Sequence, residues 1–527
     1  MKANRFMIYA FSAMMLGSLA ACSDSNDDPD NGGNGGGGGN EDKPYVWGED
    51  NGDGNFFSAK SVDHLLFNEA GKEDANGKVI GNGEQNLVFK GTQTLAKGTY
   101  TLKGWIYVAK GSVLTIEAGT VIKGDRATQA ALIIEPGGKA IMQGTKDAPI
   151  VLTSGEPKGQ RKPGDWGGLI ICGNAKNNNG VLAQQIEGGP RTKHGGNDDN
   201  DNSGVYSYVR VEFAGYPFKA DQEINGITFG SVGKGTKVDH LQVSYSSDDS
   251  YEWFGGSVDC KYLVAYKGWD DDFDTDNGFS GRVQYGLAVR DPKIADQSQS
   301  NGFESDNNAD GSMAAPYTTA TFSNITFVGP NGRDNFVNTT DYINGGDYFN
   351  PNSTARLGKF QAAMQIRRSS HLACYNSVAV GFPIGLIVDG EKGNTVEFAK
   401  AGDLKLQNIY FAGMDVIGTD ANKKYEDVLA DGKGNVIDAN QVSYSHTFFL
   451  AQKGNKNFDN ASELKLKDGR KVGANYMPDA DSPVLGAAAW DVLTDSYFEH
   501  TDYIGAFGTD DNWLEGWTNF DPNNTDY

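Results

Sequence analysis

Short strand-like runs recur along the chain from about residue 97 onward, separated by Gly, Asn and Asp. They include WIYVA, VLTIEAG, ALIIEPG, YVRVEFAG, HLQVSYS, NITFVG and NIYFAG, and no long helical periodicity accompanies them. Most follow one another at intervals of about twenty to thirty residues, which is the length of one coil in a β-solenoid. The repeat therefore predicts an all-β fold in which successive coils stack on one another.

A sharper internal repeat crowds acidic residues around one aromatic residue. Three segments share it: DDSYEWF (248–254), DDDFDTD (270–276) and SNGFESD (300–306). Alternation along a strand points the following acid outward when the aromatic side chain enters the core, and it predicts outward side chains at 270, 272, 274 and 276. Coils stacked about 4.8 Å apart would align the acids that follow the aromatic residues. The predicted column of carboxylates contains Glu252, Asp274 and Glu304.

Calcium suits such a wall, because it takes about six to eight oxygen ligands at about 2.3 to 2.6 Å. We therefore predict a calcium site built from carboxylates on adjacent coils: Asp249, Glu252, Asp271, Asp274, Asp276, Glu304 and Asp306. An EF-hand loop is excluded, since Asn277 and Val283 stand where its glycine and bidentate glutamate belong. The alternative is a solvated acidic face without metal. The scattered histidines show no zinc spacing, so no zinc site is expected. No nucleotide cofactor is expected either.

Two tryptophans and two arginines near the acidic repeat are candidate ligand contacts. Trp253 and Trp269 follow or precede the acids directly, and indole rings beside carboxylates can hold sugar rings. Inside a solenoid the same rings can equally belong to the core. Arg367 and Arg368 lie in a later coil, where they can pair with the acidic wall or receive an anionic ligand.

The charge of the chain argues against two classes of partner, and its cysteines argue against a disulfide framework. Lys plus Arg 46 against Asp plus Glu 69 gives 46 − 69 = −23, which argues against nucleic acid and against direct binding to anionic membranes. Cys172, Cys260 and Cys374 are widely spaced and stand in apolar runs, so no disulfide framework is predicted.

The N-terminus resembles a bacterial lipoprotein signal, in which a basic start and an apolar run end in LAAC (19–22). This implies a signal peptide at 1–21 and lipidation of Cys22, so that the membrane is contacted only through a lipid anchor. Residues 22–45 are acidic and rich in glycine, which indicates a flexible tether. Their early aspartates resemble the export signal of Bacteroidota lipoproteins, which implies a position on the outer membrane facing the cell exterior.

The strand repeat, WDDDFDTDNGFSG and YIGAFG (503–508) together resemble a group of Bacteroidota surface lipoproteins in the pectate-lyase-like superfamily. The resemblance implies a right-handed parallel β-helix at residues 97–508, with an N-terminal cap at 46–96 and a short tail at 509–527. It also implies capture of a glycan or other nutrient beside a TonB-dependent transporter and a SusD-like lipoprotein.

The sequence is compatible with two other functions. The segment TKVDHLQVSYSSDDSYE resembles the Asp-His-x3-Ser segment of pectate lyases, with Asp239 and His240 at its Asp-His pair. Arg290 then matches the first arginine of their Arg-x-Pro-x-x-Arg motif, while Ala295 replaces the second. This implies a calcium-dependent polysaccharide lyase with Arg290 as base. The third candidate function is that of an adhesin or structural surface protein.

Overall fold

The computed structural model describes residues 60–219, 222–331, 336–339, 343, 345–346, 358–419, 443–469 and 474–527. These residues form 32 strands, β1 to β32 in chain order, and two short helices, α1 (Thr395–Ala401) and α2 (Tyr444–Ala451). Cys22 and the tether lie outside the described residues. No helix in the described part is both long enough and apolar enough to span a bilayer.

Sheet A takes one strand from each coil, and every pairing within it is parallel. Such coil-on-coil pairing is the defining feature of a parallel β-helix, so the predicted fold is confirmed. In order of pairing, its twelve strands are β1 (Lys60–Val62), β4 (Leu87–Phe89), β7 (Trp105–Val108), β10 (Ala131–Ile134), β13 (Gly168–Cys172), β19 (Ile227–Val232), β21 (Tyr251–Gly256), β23 (Phe273–Asp276), β25 (Phe303–Ser305), β27 (Ala362–Ile366), β29 (Ile384–Val388) and β31 (Val416–Thr419).

Sheet B forms the remaining faces of the solenoid. Its main path is β2 (Leu66–Phe67), β3 (Val79–Ile80), β6 (Thr99–Leu102), β9 (Val121–Gly124), β12 (Ile150–Ser154), β16 (Gly204–Glu212), β20 (Lys237–Ser244), β22 (Cys260–Tyr266), β24 (Arg282–Val289), β26 (Thr321–Val328), β28 (Ala373–Val380), β30 (Lys405–Ala412) and β32 (Lys456–Phe458). A side branch holds β5 (Thr92–Leu95), β8 (Val113–Ile116) and β11 (Lys139–Gln143). Two hairpins stand apart, β14 (Gln184–Gln185) with β15 (Lys193–His194), and β17 (Pro217–Lys219) with β18 (Gln222–Glu223).

Sheet B bends at a corner. In the early coils two separate strands meet there, and both β11 and β12 pair with the single long strand β16. From β16 onward one left-handed residue marks the corner of each coil and is skipped in the pairing register. These corner residues are Tyr208, His240, Tyr262, Tyr285, Asn324, Asn376 and Asn408.

The core is a stack of matching side chains inside the solenoid. Tyr251, Phe273 and Phe303 are directly opposite one another in neighbouring strands, as the repeat predicts. All three are fully buried, with ring centroids 5.7 and 6.0 Å apart from one coil to the next. Aromatic and β-branched residues fit this pleated, enclosed surface well. Cys172, Cys260 and Cys374 are buried and unbridged, as expected.

Both predicted ends of the solenoid need correction. Strands β1 and β4 already continue sheet A in parallel register, so coils begin before residue 97. The last strand of sheet B ends at Phe458. Residues 482–488 and 503–508 lie beyond this last strand and bind the corner of sheet B from outside, where Ala487 accepts a hydrogen bond from the Asn408 side chain and the N–H of Gly505 donates to the carbonyl of Asn376.

Residues 474–527 form a strap, here called the C-terminal strap, that runs back along the solenoid from late to early coils. Side-chain to backbone hydrogen bonds mark its path: Asn408 to Ala487 (2.8 Å), Asn324 to Tyr503 (3.3 Å), Gln242 to Asn519 (2.7 Å) and Arg161 to Pro522 (2.5 Å). The tail at 509–527 therefore covers early and middle coils rather than the last ones, because the strap reverses the direction in which the coils advance.

Replacing Phe273 by alanine should lower the free energy of unfolding by about 3 to 5 kcal/mol, because the stack cannot close over the lost ring. Denaturant unfolding measures the effect. Val181→Ala is the control, since Val181 is 57% exposed. Equal effects of the two substitutions would contradict the assignment of Phe273 to the core.

Candidate functional site

A side-chain ladder precedes the acidic strands of sheet A. The side chain of Asp249 accepts a hydrogen bond from the backbone N–H of Asp271 at 2.8 Å, and Asp271 accepts one from the N–H of Asn301 at 2.5 Å. Asn301 in turn accepts from the N–H of Ala362 at 3.0 Å. Each carboxylate of this ladder commits one oxygen to the next coil. The ladder explains why acids or amides recur two positions before each aromatic residue.

Three further carboxylates, named the acidic column, align on the outer face of sheet A. Glu252 lies opposite Asp274, and Asp274 lies opposite Glu304, as the repeat predicts. The predicted solvent exposure is wrong, however. Glu252 is 3% exposed and Asp274 is 8% exposed. These side chains point away from the core of the solenoid, but they are not exposed to solvent.

Two insertions explain this burial. Residues 174–196, here called the roof, lie against the outer face of sheet A, where the N–H of Asn178 donates to the carbonyl of Asn277 at 3.0 Å. The ring of His194, also in the roof, lies 6.5 Å from that of Phe254. The side-chain amide of Asn225, just after the second hairpin, donates to Glu252. Both insertions shield the column from solvent.

Burial and mutual repulsion raise the proton affinity of a group of carboxylates here called the acidic cluster. Its members are Asp249, Glu252, Asp271, Asp274 and Glu304. The pKa values of Asp249, Glu252, Asp271 and Asp274 lie well above their usual range, first because burial disfavours the charged form. Neighbouring carboxylates raise them further, as Asp274 does for Glu252. Burial also raises the pKa of Glu304 despite the lowering effect of Arg367. These carboxylates therefore bind protons more tightly than exposed carboxylates do.

Three of the predicted metal residues could hold one ion together. Oxygens of Asp249, Glu252 and Asp274 all lie within 4.8 Å of one another, and all three residues are buried. Two ligands on opposite sides of a calcium ion, each at about 2.4 Å, are separated by about that distance. One oxygen of Asp274, Oδ1, is buried and has no hydrogen-bond partner within the described part of the chain. The donor set therefore fits a hard divalent cation.

The remaining predicted metal residues are engaged elsewhere. Asp306 accepts from Arg367 Nε and from Arg368 Nη1, both at 2.9 Å, and Glu304 accepts from Arg367. Asp276 accepts from both the backbone and the side chain of its neighbour Asn277, at 2.5 and 2.7 Å. The predicted arginines thus pair with the acidic wall, and they remove Glu304 and Asp306 from the metal set.

Arg290 does not fit the role of lyase base. It is fully buried, where Nη1 donates to Asp272 at 3.0 Å and Nη2 donates to the carbonyl of Trp269 at 3.1 Å. Its guanidinium lies 5.4 Å from the ring centre of Phe360. Burial raises the pKa of Asp272 to about 7 although Arg290 lowers it. A polymer cannot contact a side chain enclosed in this way.

The two tryptophans are core residues, so their predicted role as sugar platforms is corrected. Trp253 has no exposed surface and stacks between the rings of Phe229 and Phe279, each with a centroid distance of 5.4 Å. Trp269 is 2% exposed and packs in a second apolar cluster that includes Ile294. Neither indole presents a face to a ligand, because both are enclosed by apolar side chains.

The structure also adds acids that the sequence reasoning missed. Asp248 and Asp270 form, with Asp249, a second group of oxygens within 4.8 Å of one another. Their signal was present, since each stands directly before a ladder aspartate in the aligned repeats. Glu187 and Glu223 add charge from the roof and the second hairpin, and after burial Glu223 is the main cause of the raised pKa of Asp248. Nothing in their local sequence indicated this placement.

The Asp-His pair that resembles a pectate-lyase segment lies away from the acidic column. Asp239 and His240 belong to β20 in sheet B, whereas Glu252 and Asp274 belong to sheet A. The pair and the acidic cluster therefore do not form one site.

Residues 87–457 match the family described as the pectate-lyase like beta helix domain. No curated protein and no solved structure matches the chain.

The raised pKa values make metal-free stability fall as pH rises. From about pH 4, the ordinary range of Asp and Glu, the unfolded chain releases protons that the folded cluster retains. In chelator, the denaturation midpoint should therefore fall between about pH 5 and pH 8. Asp274→Asn should make this fall smaller, whereas Asp481→Asn, which alters an exposed acid, should not. Identical pH profiles for wild type and Asp274→Asn would contradict the role assigned to the cluster.

Proposed function

The chain belongs to the family of pectate-lyase-like β-helix domains, and we propose that it is a surface lipoprotein that captures a glycan without cleaving it. The pairing of the arginines near the acidic cluster with carboxylates is the observation that favours capture over cleavage. Arg290, Arg367 and Arg368 all donate to buried carboxylates. Removing a proton beside a uronate carboxylate requires a base that reaches the polymer, and a buried, paired guanidinium does not supply one.

In this proposal calcium is a structural cofactor. Asp249, Glu252 and Asp274 hold it, and its charge takes the place of the protons that burial otherwise forces onto them. Asp249 belongs to the ladder and Glu252 receives the Asn225 amide, so one ion would join two coils and the neighbouring hairpin. The ion thereby stiffens the face on which the roof lies.

The cellular setting is also part of the proposal. Lipidation at Cys22 would tether the protein to the outer membrane, facing the cell exterior, and the tether at 22–45 would let it move above the surface. A TonB-dependent transporter and a SusD-like lipoprotein are the proposed partners, and the captured glycan or other nutrient would pass to them. The support for this setting is the N-terminal sequence and its resemblance to Bacteroidota lipoproteins.

Calcium should stabilise the wild-type protein at pH 7.5. Binding to the folded state alone adds about 2.7 kcal/mol at one hundred times the dissociation constant. Thermal unfolding with and without calcium measures the shift. Asp249→Asn with Asp274→Asn should abolish it, and Asp481→Asn should keep it. Equal calcium-dependent shifts in the double variant and the wild type would overturn the metal assignment.

The protein should bind polysaccharide without generating new chain ends. Electrophoresis through gels that contain neutral or uronate polymers should show retardation, while ultraviolet absorbance should show no unsaturated uronate product. Unsaturated product formed by the wild type would establish the lyase instead. Absence of both binding and cleavage for every polymer would favour an adhesin or structural role.

Arg290→Lys should lower the free energy of unfolding by about 3 to 5 kcal/mol, because it leaves Asp272 poorly paired.

A further inference from the structure

The corner of sheet B carries a stack of aromatic rings across four consecutive coils. Tyr208, His240, Tyr262 and Tyr285, here called the aromatic ladder, stack with successive centroid distances of 4.2, 4.4 and 4.9 Å. The interplanar angles are 13°, 17° and 13°. The rings thus form a continuous ribbon on the outside of the solenoid.

Each ladder residue has a left-handed backbone, with φ between 52° and 65°. Bulky side chains rarely adopt this conformation, and such strain concentrates at ligand-binding positions. The next three coils place asparagine at the corner, which tolerates the conformation better. Those asparagines donate to the C-terminal strap: Asn324 to Tyr503, Asn376 to Ala489 and Asn408 to Ala487. The asparagines of the later corner therefore hold the strap by hydrogen bonds, whereas the aromatic residues of the earlier corner meet Trp513 and Trp517 of the strap edge-on.

A groove of about 560 Å³ opens along the aromatic stretch. This volume falls within the range of small-ligand sites, about 300 to 1,000 Å³. Tyr208, His240 and Tyr262 are half-buried along it, and residues 143–146 of an earlier coil also line it. Trp517 of the strap meets Tyr208 edge-on, at 5.8 Å. Among the described residues, no second ring stacks on the other face of Tyr208.

The charged groups that line the groove are mainly cationic. Lys146, Lys237 and Lys261 line it together with a single acid, Asp239. Burial raises the pKa of Asp239, but hydrogen bonds from His240 and Ser207 outweigh this effect and hold the pKa below its usual range. Asp239 is therefore ionised and orients the His240 ring, whose Nδ1 lies 2.8 Å from it. Three lysines in one groove stand out in a chain with a net charge of −23.

Two of the three lysines are available to a ligand, because they are exposed and their present ion pairs are long. Lys237 is 61% exposed and lies 3.4 Å from Asp239, and Lys146 is 53% exposed and lies 3.8 Å from Glu515. Lys261 is only 20% exposed; it pairs at 2.7 Å with Glu499, and its ammonium lies 5.0 Å from the ring centre of Tyr497. The long, exposed contacts of Lys237 and Lys146 contribute little to stability. An anionic group that enters the groove can replace the acid in such a pair.

We propose that this groove binds an anionic saccharide, with a sugar ring packed against Tyr208 and its acidic group held by the lysines. The apolar face of a sugar ring suits an aromatic surface, and its hydroxyl groups suit Asp239 and the Tyr208 hydroxyl. The inference rests on the proposed capture function and places the glycan on sheet B, away from the acidic column.

Gel retardation of the full mature chain tests this site. The probes are polygalacturonate, a sulfated galactan, and neutral galactan as the uncharged counterpart. The wild type should be retarded by at least one anionic polymer and much less by neutral galactan. Tyr208→Ala should weaken that binding at least tenfold, and Lys237→Gln with Lys261→Gln should reduce both the affinity and its salt dependence.

Tyr317→Ala is the matched control, because Tyr317 also stacks on a histidine, His371, at 4.4 Å and does not line the groove. Its binding should equal that of the wild type. Thermal unfolding shows whether Tyr208→Ala and the lysine variant still fold, and Lys237→Gln alone alters a side chain that is 61% exposed and lies outside the ladder.

The outcomes separate the groove from the capture function. Anionic polymer bound equally well by the wild type, Tyr208→Ala and the lysine variant would overturn the groove and leave capture intact. Equal retardation by neutral galactan would overturn the role of the lysines. No retardation by any probe would overturn both proposals. Preference between polygalacturonate and sulfated galactan identifies the acidic group.

Discussion

Parallel hydrogen bonding between coils places each residue of one coil about 4.8 Å from its counterpart in the next. Equivalent side chains must therefore form columns, and each column concentrates one physical property. Inside the solenoid this creates a continuous aromatic core through Tyr251, Phe273 and Phe303. Outside it, the same register brings like charges together. The rest of the structure deals with the consequences of this constraint.

The acidic column shows two solutions to that repulsion. At its later end, Arg367 donates to Glu304 and Asp306, so that charge is balanced within the chain. At its earlier end, Glu252 and Asp274 lie beside further carboxylates, and their pKa values are raised first by burial and then by repulsion from those carboxylates. Burial beneath the roof sharpens the difference, because solvent no longer screens the charges. This imbalance is what makes the earlier end a candidate cation site.

The corner of sheet B shows how one backbone position can serve two purposes. Where asparagine occupies it, as at Asn324 and Asn408, the side chain fastens the C-terminal strap. Where aromatic residues occupy it, as at Tyr208 and Tyr262, the rings stack and border an open groove. The candidate cation site and the groove lie on different sheets. Metal binding and glycan binding would therefore be separable properties of one rigid scaffold.

The sequence alone determined the coil repeat, the alignment of Tyr251 with Phe273 and the order of the acidic column, because these depend on local spacing and on strand alternation. Burial was decided only by tertiary structure. Trp253 became core between the rings of Phe229 and Phe279, and Arg290 became the enclosed partner of Asp272 beside the ring of Phe360, because these neighbours come from other coils of the chain. Local pattern specifies which residues are neighbours along the solenoid, whereas long-range packing determines which of them water, a metal or a ligand can reach.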